Sequence, residues 1–283
     1  MSAPLASAPP ASPAEHARRL AECFAARPGF LIAYSGGVDS ATLAYAAHLA
    51  LGERMLAVLA DSPALARREL KAAQEFARRH AIPLRVVATD ELTREEYARN
   101  TGDRCYFCKQ TLFDTLAKVR ALLAREPHDA GWPVAYGVNR DDLGDYRPGL
   151  KAAAAAGAEA PFLAAGMGKA EVRALARHWG LEVADKPAAP CLSSRIPHGE
   201  RVTGAKLAQV ERAEDLLHDL GFRVLRVRHH GAVARIEVPP AEFTRLIEHS
   251  EQVVRGLKTL GFLHVSLDLA GFRSGSLNAA LGL

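Results

Sequence analysis

The sequence has no stretch approaching the roughly 18 uninterrupted apolar residues of a membrane span, which excludes a helical membrane protein. The opening Met1–Pro13 has no charged side chain. It lacks the basic start and continuous apolar block of a secretory signal, and its Ala, Pro and Ser composition reads as a disordered tail. Cysteine is scarce, four in 283 residues. The protein is therefore expected in the cytoplasm with reduced thiols, so closely spaced cysteines read as metal or redox ligands before they read as a disulfide. An excess of one charge is lacking too: 36 Lys and Arg face 32 Asp and Glu, a net charge of +4. That balance does not mark a nucleic-acid binder, since Arg is interleaved with acids, as in Leu65-Ala66-Arg67-Arg68-Glu69. A phosphate-rich small substrate suits it equally well. There is no internal repeat.

What is present is a globular composition with room for one large domain or two modest ones. An amphipathic helix is expected over Pro13–Ala26, with Cys23 as a small core residue on it. Short apolar runs at 29–34, 55–60, 84–88 and 133–138 then alternate with helical patterns at 40–51, 64–80 and 168–180. Such runs between helices predict a doubly wound, mostly parallel α/β sheet buried on both faces, with ligands at the carboxyl ends of its strands. The Pro- and Ser-rich segment 186–199 reads as a junction loop. Beyond Thr203 the regular alternation stops: a helix over 205–220, a hairpin of 223–229 and 233–238 around Gly231, two helices after Pro239-Pro240, and a strand at 263–267. The division expected is a tail at 1–13, an α/β domain at 14–202 and a smaller α+β domain at 203–283, for substrate binding or oligomerisation.

Between the first strand and the next helix stands Ser35-Gly36-Gly37-Val38-Asp39-Ser40. Two glycines allow a tight turn that aims successive N–H groups at an anion at a helix N-terminus. The hydroxyls add donors, and Asp39 is suited to a Mg²⁺ that bridges two phosphates. No Lys follows in the G-K-[ST] manner, so this is not the loop of an ATPase that cleaves the γ-phosphate. The pattern resembles the PP-loop of ATP-pyrophosphatases, the superfamily of NAD, GMP and asparagine synthetases and many tRNA-thiolating enzymes. The resemblance implies an adenine nucleotide alpha-hydrolase-like fold whose loop grips the pyrophosphate of ATP while AMP is transferred.

Cys105 and Cys108 form a C-x₂-C pair in Arg104-Cys105-Tyr106-Phe107-Cys108-Lys109. Cys191 is the one further plausible ligand, so a closed four-thiolate zinc site is short of a residue. Three thiolates suit a [4Fe–4S] cluster with one open iron, and His198 is available to complete a Cys₃His zinc site instead. Lys186 and Arg195 flank Cys191 in Asp185-Lys186-Pro187-Ala188-Ala189-Pro190-Cys191-Leu192-Ser193-Ser194-Arg195-Ile196-Pro197, and cations there favour a reactive thiolate.

This segment resembles the K-P-A-x-x-C-L-x-S-R-I-P motif of the LarE family, the ATP-dependent sulfur transferases of nickel-pincer cofactor synthesis. Similar to that family as well are Ala60-Asp61-Ser62-Pro63, the C-x₂-C stretch, the segment 137–149 and the late segment 271–278. Pro190 and His198 depart from its usual pattern. The resemblance implies adenylation of a carboxylate of a pyridinium dicarboxylate mononucleotide, then attack by sulfur to give a thiocarboxylate. In one branch of the family the cysteine at the position of Cys191 gives up its own sulfur. In the other, three cysteines hold a [4Fe–4S] cluster carrying a spare sulfide, and the chain, with Cys105, Cys108 and Cys191, looks like the cluster branch.

Asp61 and Ser62 are the further ATP-site candidates. Asn139, Asp142, Asp145 and Arg147 follow the fourth expected strand on the ligand side, where Asp145 and Arg147 are suited to Mg²⁺ and phosphate. Arg226 and Arg228 share one strand face, and with Arg273 they read as a clamp for substrate phosphate and carboxylate, or alternatively as edge-strand charges. The competing functions are a PP-loop tRNA thiolase, which needs a basic RNA surface that the sequence does not display, and a non-enzymatic ATP sensor. Likeness to the LarE family also implies a homo-oligomer, such as a hexamer, working beside other enzymes of nickel-pincer synthesis.

Overall fold

The computed structural model describes residues 11–124, 131–144 and 148–273. The Ser12 hydroxyl accepts the Glu15 N–H at 3.2 Å and caps the first helix, α1 (Pro13–Ala25), with Pro at a position that needs no N–H donor. There follow β1 (Phe30–Tyr34), α2 (Val38–Leu51), β2 (Met55–Asp61), α3 (Arg67–Arg79) and β3 (Leu84–Ala88). Next come α4 (Glu95–Ala98), α5 (Arg104–Leu123), β4 (Val134–Tyr136), α6 (Pro148–Ala155), α7 (Pro161–Ala164) and α8 (Lys169–His178). The chain continues with α9 (Gly204–Asp219), β5 (Arg226–His230), β6 (Val233–Glu237), α10 (Phe243–Glu248), α11 (Ser250–Thr259) and β7 (His264–Leu267).

The first sheet has the order β3-β2-β1-β4, and every pairing in it is parallel. The expected α/β class is thus what is found. All five residues of β1 are buried, and their period of two sends them to opposite faces. Phe30, Ile32 and Tyr34 pack with α1, α2 and α8, while Leu31 and Ala33 pack with Phe113, Leu116 and Val119 of α5. Met55, Ala57 and Leu59 of β2 join the first group and Val58 the second, so one alternation serves two cores. β3 departs from the expectation of a sheet buried throughout. It is the edge strand, and Arg85, Val86 and Ala88 are exposed.

The chain moves outward from β1 to β2 and β3, then returns to the other side of β1 as β4. A crevice therefore opens between the carboxyl ends of β1 and β4, the switch point where such sheets bind ligands. The 20-residue α5 was not anticipated from the sequence. Its apolar stripe is broken by Thr111 and Thr115, whose hydroxyls donate to Phe107 O at 3.1 Å and Thr111 O at 2.8 Å. Cys23 is half-buried rather than a core residue.

The second sheet has the order β5-β6-β7. β5 and β6 form the expected hairpin around Gly231, antiparallel from Arg226↔Glu237 to His230↔Val233, and β7 adds to β6 in parallel. Val227, Ala234 and Ile236 pack there with Phe222, Leu246, Val253, Leu257 and Phe262 in a separate cluster. A further cluster, Ala64, Tyr97, Leu192, Ile196, Val202, Leu207 and Val210, lies at the cysteine loop and draws on α4 and α9. No helix among the described residues is long and apolar enough to cross a membrane.

Candidate functional site

The Ser-Gly-Gly loop leaves β1 at Ser35. The Ser35 N–H donates to Ser40 Oγ at 3.1 Å, and the two hydroxyls lie 3.0 Å apart. Gly36 has φ +72°, and a Cβ built there would meet the Ala73 Cβ of α3 at 2.5 Å. Gly37 is the N-cap of α2 and offers no side-chain cap to the N–H groups of the first turn. Val38 is buried beneath it. Gly137, after β4, comes close from the other side: a Cβ there would lie 3.0 Å from the Asp39 carbonyl carbon and the Ser40 nitrogen. Gly36→Ala combines a left-handed backbone with a backbone-level clash, and it is expected to lower the unfolding free energy by about 1–3 kcal/mol. A denaturant midpoint equal to wild type would show that the close packing on α3 is no constraint.

Asp39 points into the crevice. Its Oδ2 accepts from Lys169 Nζ at 2.5 Å, and its Oδ1 lies 3.4 Å from Asn139 Nδ2. The buried Asn139 is itself fixed, accepting the Asp141 N–H at 3.0 Å and donating its own N–H to Asp142 Oδ2 at 3.0 Å. Asp61 is ion-paired with Arg67 at 2.5 Å, and Arg67 also donates to Ser62 O at 2.8 Å. The Ser62 hydroxyl donates to the buried Glu91 and accepts the Ala64 N–H at 2.9 Å. The expectations placed on Asp145 and Arg147 lie outside the described residues.

Lys186 takes a position the sequence did not suggest. Its ammonium donates to Gly36 O at 3.0 Å and pairs with Glu69 at 2.7 Å, so it braces the Ser-Gly-Gly loop. Cys191 follows five residues later, within about 18 Å of Lys186 even for a fully extended chain. The Leu192 N–H donates to Ala64 O at 2.8 Å and fastens the cysteine segment to the chain leaving β2.

Cys105 is exposed in the first turn of α5, with Cys108 one turn further on and half-buried. Cys108 and Cys191 both pack against the cluster around Tyr97. Burial pushes the Cys108 thiol up to about 12, and negative charge on Cys191 and, more weakly, on Cys105 pushes the same way. Among the described residues, no three His, Cys, Asp or Glu side chains converge closely enough to hold a metal ion. His198 is half-buried, its Nδ1 without a hydrogen-bond partner, and does not complete such a set. Arg104, 6% exposed, donates to Asn100 Oδ1 at 2.5 Å and Ser193 O at 2.9 Å and has no carboxylate partner among the described residues. Burial opposes its charge, while Cys191, Cys105 and Tyr97 favour it. Asn100 holds the same loop from below, its Nδ2 donating to Ile196 O, Pro197 O and Glu200 O at 3.2, 2.7 and 3.0 Å.

Arg226 and Arg228 reach this loop from the second sheet, and Arg195 stands on the loop itself. The Nε and Nη2 of Arg195 donate to the buried Glu214, both at 2.9 Å, and its Nη1 donates to Pro190 O at 2.6 Å and Cys191 O at 3.0 Å. Its contact with the cysteine segment is thus made through backbone carbonyls. Arg228 forms a buried fork with Glu237 at 2.9 and 2.8 Å and donates to Ser194 O at 2.7 Å. Arg226 donates to Ala188 O at 3.2 Å and stacks over the Phe272 ring at 5.1 Å. Burial, followed by the neighbouring Arg195, brings its pKa down to about 10, leaving it charged at neutral pH. Arg273 is exposed at the end of the described chain.

Comparison with known proteins gives the site its context. No protein-family model matches the chain. The pyridinium-3,5-bisthiocarboxylic acid mononucleotide synthase of Lactiplantibacillus plantarum is 37% identical over 251 residues, 88% of this chain and 89% of that one. The chain belongs to this synthase family, the LarE family. An uncharacterized Synechocystis protein is 43% identical over 253 residues, 89% of this chain and 92% of its own. Another, from Methanocaldococcus jannaschii, is 28% identical over 246 residues, 86% of this chain and 90% of its own. Membership of the LarE family does not favour the tRNA-thiolase alternative. Several residues that build the site in this LarE-family chain went unnoticed in the sequence: Lys169, Glu69, Glu91, Asn100, Arg104, Glu214 and Glu237. Lys169 and Glu69 are defined by partners more than a hundred residues away, and Glu237 by a partner across a hairpin.

Proposed function

We propose that this LarE-family protein is an ATP-dependent sulfur transferase, forming AMP and pyrophosphate, that converts a carboxylate of a pyridinium dicarboxylate mononucleotide to a thiocarboxylate in nickel-pincer cofactor synthesis. The observation that carries this reading is the Lys186 contact with Gly36 O, which ties the cysteine segment to the phosphate loop. A carboxylate is a poor acyl donor, and adenylation gives it a good leaving group. The N–H groups at residues 36–40 are suited to the departing pyrophosphate, and Asp39 to the Mg²⁺ that accompanies ATP. Arg226 supports anchoring of a substrate anion, because among Arg195, Arg226 and Arg228 it has neither Glu214 nor Glu237 across its fork. Arg273, at the neighbouring segment, is the further candidate for that anchor.

The donor set at Cys105, Cys108 and Cys191 fits a [4Fe–4S] cluster in kind: three thiols, two of them one turn apart on α5, with Cys108 and Cys191 packed against the same side chains. Those three residues would hold it, drawn together from their present separation, and a cluster with an open iron supplies a place for a sulfide. The competing route uses Cys191 alone. Its thiolate displaces AMP to form a thioester, and cleavage of its own Cβ–S bond with loss of the Cα proton leaves dehydroalanine and the thiocarboxylate. A cytoplasmic homo-oligomer, a hexamer in the fullest form of the reading, acting beside other enzymes of the pathway completes the proposal.

Anaerobically purified protein is expected to release pyrophosphate only when ATP and the nucleotide acid are both present. Iron and sulfide in the protein, with an unchanged chain mass after turnover, support the cluster route. Loss of one sulfur from Cys191 establishes the sacrificial route in its place. No pyrophosphate release with the nucleotide acid, or release with tRNA instead, sinks the assignment.

A further inference from the structure

The cation nearest Asp39 comes from an element outside every motif in the sequence. Lys169 is the first residue of α8, which packs along α2. Its backbone is fixed, the N–H donating to Asp141 Oδ2 at 2.6 Å, and the preceding Gly168 N–H donates to Glu171 Oε2 at 2.9 Å. The base of the side chain is thus rigid, while the four-carbon stem keeps its rotational freedom. Its ammonium meets Asp39 Oδ2 at 2.5 Å, and the pair is part-open, with 39% of the Lys169 and 26% of the Asp39 side chain exposed. An ion pair that exposed is held weakly and exchanges readily.

Asp39 lies in the first turn of α2, whose N-terminal N–H groups carry no side-chain cap. Any polyphosphate drawn to those groups meets the Asp39 carboxylate, and the repulsion has to be cancelled by a cation. Lys169 is the resident one. A divalent cation arriving with a polyphosphate carries twice the charge and competes for the same carboxylate, which frees the ammonium beside the incoming phosphate oxygens.

We propose that Lys169 is a polyphosphate-binding residue that changes partner: it neutralises Asp39 in the empty site and passes to the phosphates when the accompanying divalent cation takes Asp39. The inference rests on the nucleotide reading of this loop and adds to it a residue, a ligand class and an order of events.

The test is calorimetric binding of inorganic pyrophosphate to the full chain, in Mg²⁺ and in EDTA. In Mg²⁺, Lys169→Met is expected to weaken binding by about ten- to a hundredfold and Lys169→Arg by less, the loss of one charge-assisted contact. In EDTA the sign reverses at the other partner. Asp39→Asn, which releases the ammonium, is expected to bind about tenfold more tightly than wild type, and the double variant Asp39→Asn/Lys169→Met is expected to lose that gain. A purely structural ion pair would lower the melting temperature of both single variants without producing opposite signs in binding. Equal affinity of wild type and Lys169→Met in Mg²⁺ overturns the exchange, as does EDTA binding by Asp39→Asn no tighter than wild type. Failure of wild type itself to bind pyrophosphate in Mg²⁺ removes the nucleotide reading and this inference with it.

Discussion

Cys191→Ala is expected to release pyrophosphate at close to the wild-type rate while thiocarboxylate formation falls by at least about a thousandfold, the scale of a lost nucleophile. The two halves of the reaction separate because different atoms support them. The Ser-Gly-Gly loop is held by its own hydroxyls, by Lys186 and by the Asn139–Asp39–Lys169 contacts, and the Cys191 sulfur takes no part in any of these. The Cys191 carbonyl, which accepts from Arg195, and the Leu192 N–H, which donates to Ala64, are both kept in an alanine variant. Cys105→Ala then divides the two routes. If the thiols act as a set, Cys105→Ala also stops transfer and lowers bound iron; if Cys191 acts alone, Cys105→Ala still turns over once per chain. Mass spectrometry of the product and iron analysis of each variant read both outcomes. Thiocarboxylate from Cys191→Ala at the wild-type rate would remove the cysteine from the chemistry altogether.

The parts of this molecule that were legible in the sequence are those set by nearest neighbours. A five-residue apolar run ahead of the Ser-Gly-Gly turn gave β1 and its loop, and the short β-branched stretch after Pro83 gave β3 its residues. That β3 is an exposed edge depends on strand order, which no local pattern carries. The period of two also put Arg226 and Arg228 on one face. It did not reveal that Glu237 lies opposite Arg226 in the ladder and reaches diagonally to Arg228, which separates two arginines that look equivalent in sequence. α5 was missed because its stripe contains threonines that satisfy their hydroxyls one turn back, making polar residues acceptable on a buried face. The cysteines and the Ser-Gly-Gly loop were legible as motifs. The contact that ties the Cys191 segment to the loop, Lys186 to Gly36, spans 150 residues, and the one that pairs Asp39, from Lys169, spans 130. Only the assembled sheet defines them.

Breaking the Arg195–Glu214 pair from one side is expected to be the most destabilising single change at the site. Both side chains are under a tenth exposed, and Glu214 also accepts the Val227 N–H at 3.0 Å, linking α9, β5 and the cysteine loop. Glu214→Leu leaves a buried guanidinium without its carboxylate and a buried N–H without an acceptor, a loss of about 3–5 kcal/mol. Arg195→Met/Glu214→Leu removes both charges, and most of that loss is expected to return, because apolar side chains of similar size replace a buried ion pair at little net cost. Function is not expected to return with it. The donors to Pro190 O and Cys191 O are gone in the double variant, so the cysteine segment loses its alignment while the phosphate loop keeps its own supports. The double variant should therefore denature well above Glu214→Leu, held below wild type by the orphaned Val227 N–H, and release pyrophosphate, yet transfer sulfur at least about tenfold more slowly. Wild-type transfer by that variant would reduce Arg195 to a packing residue. Slow transfer in a stable protein would identify it as the residue that aims Cys191.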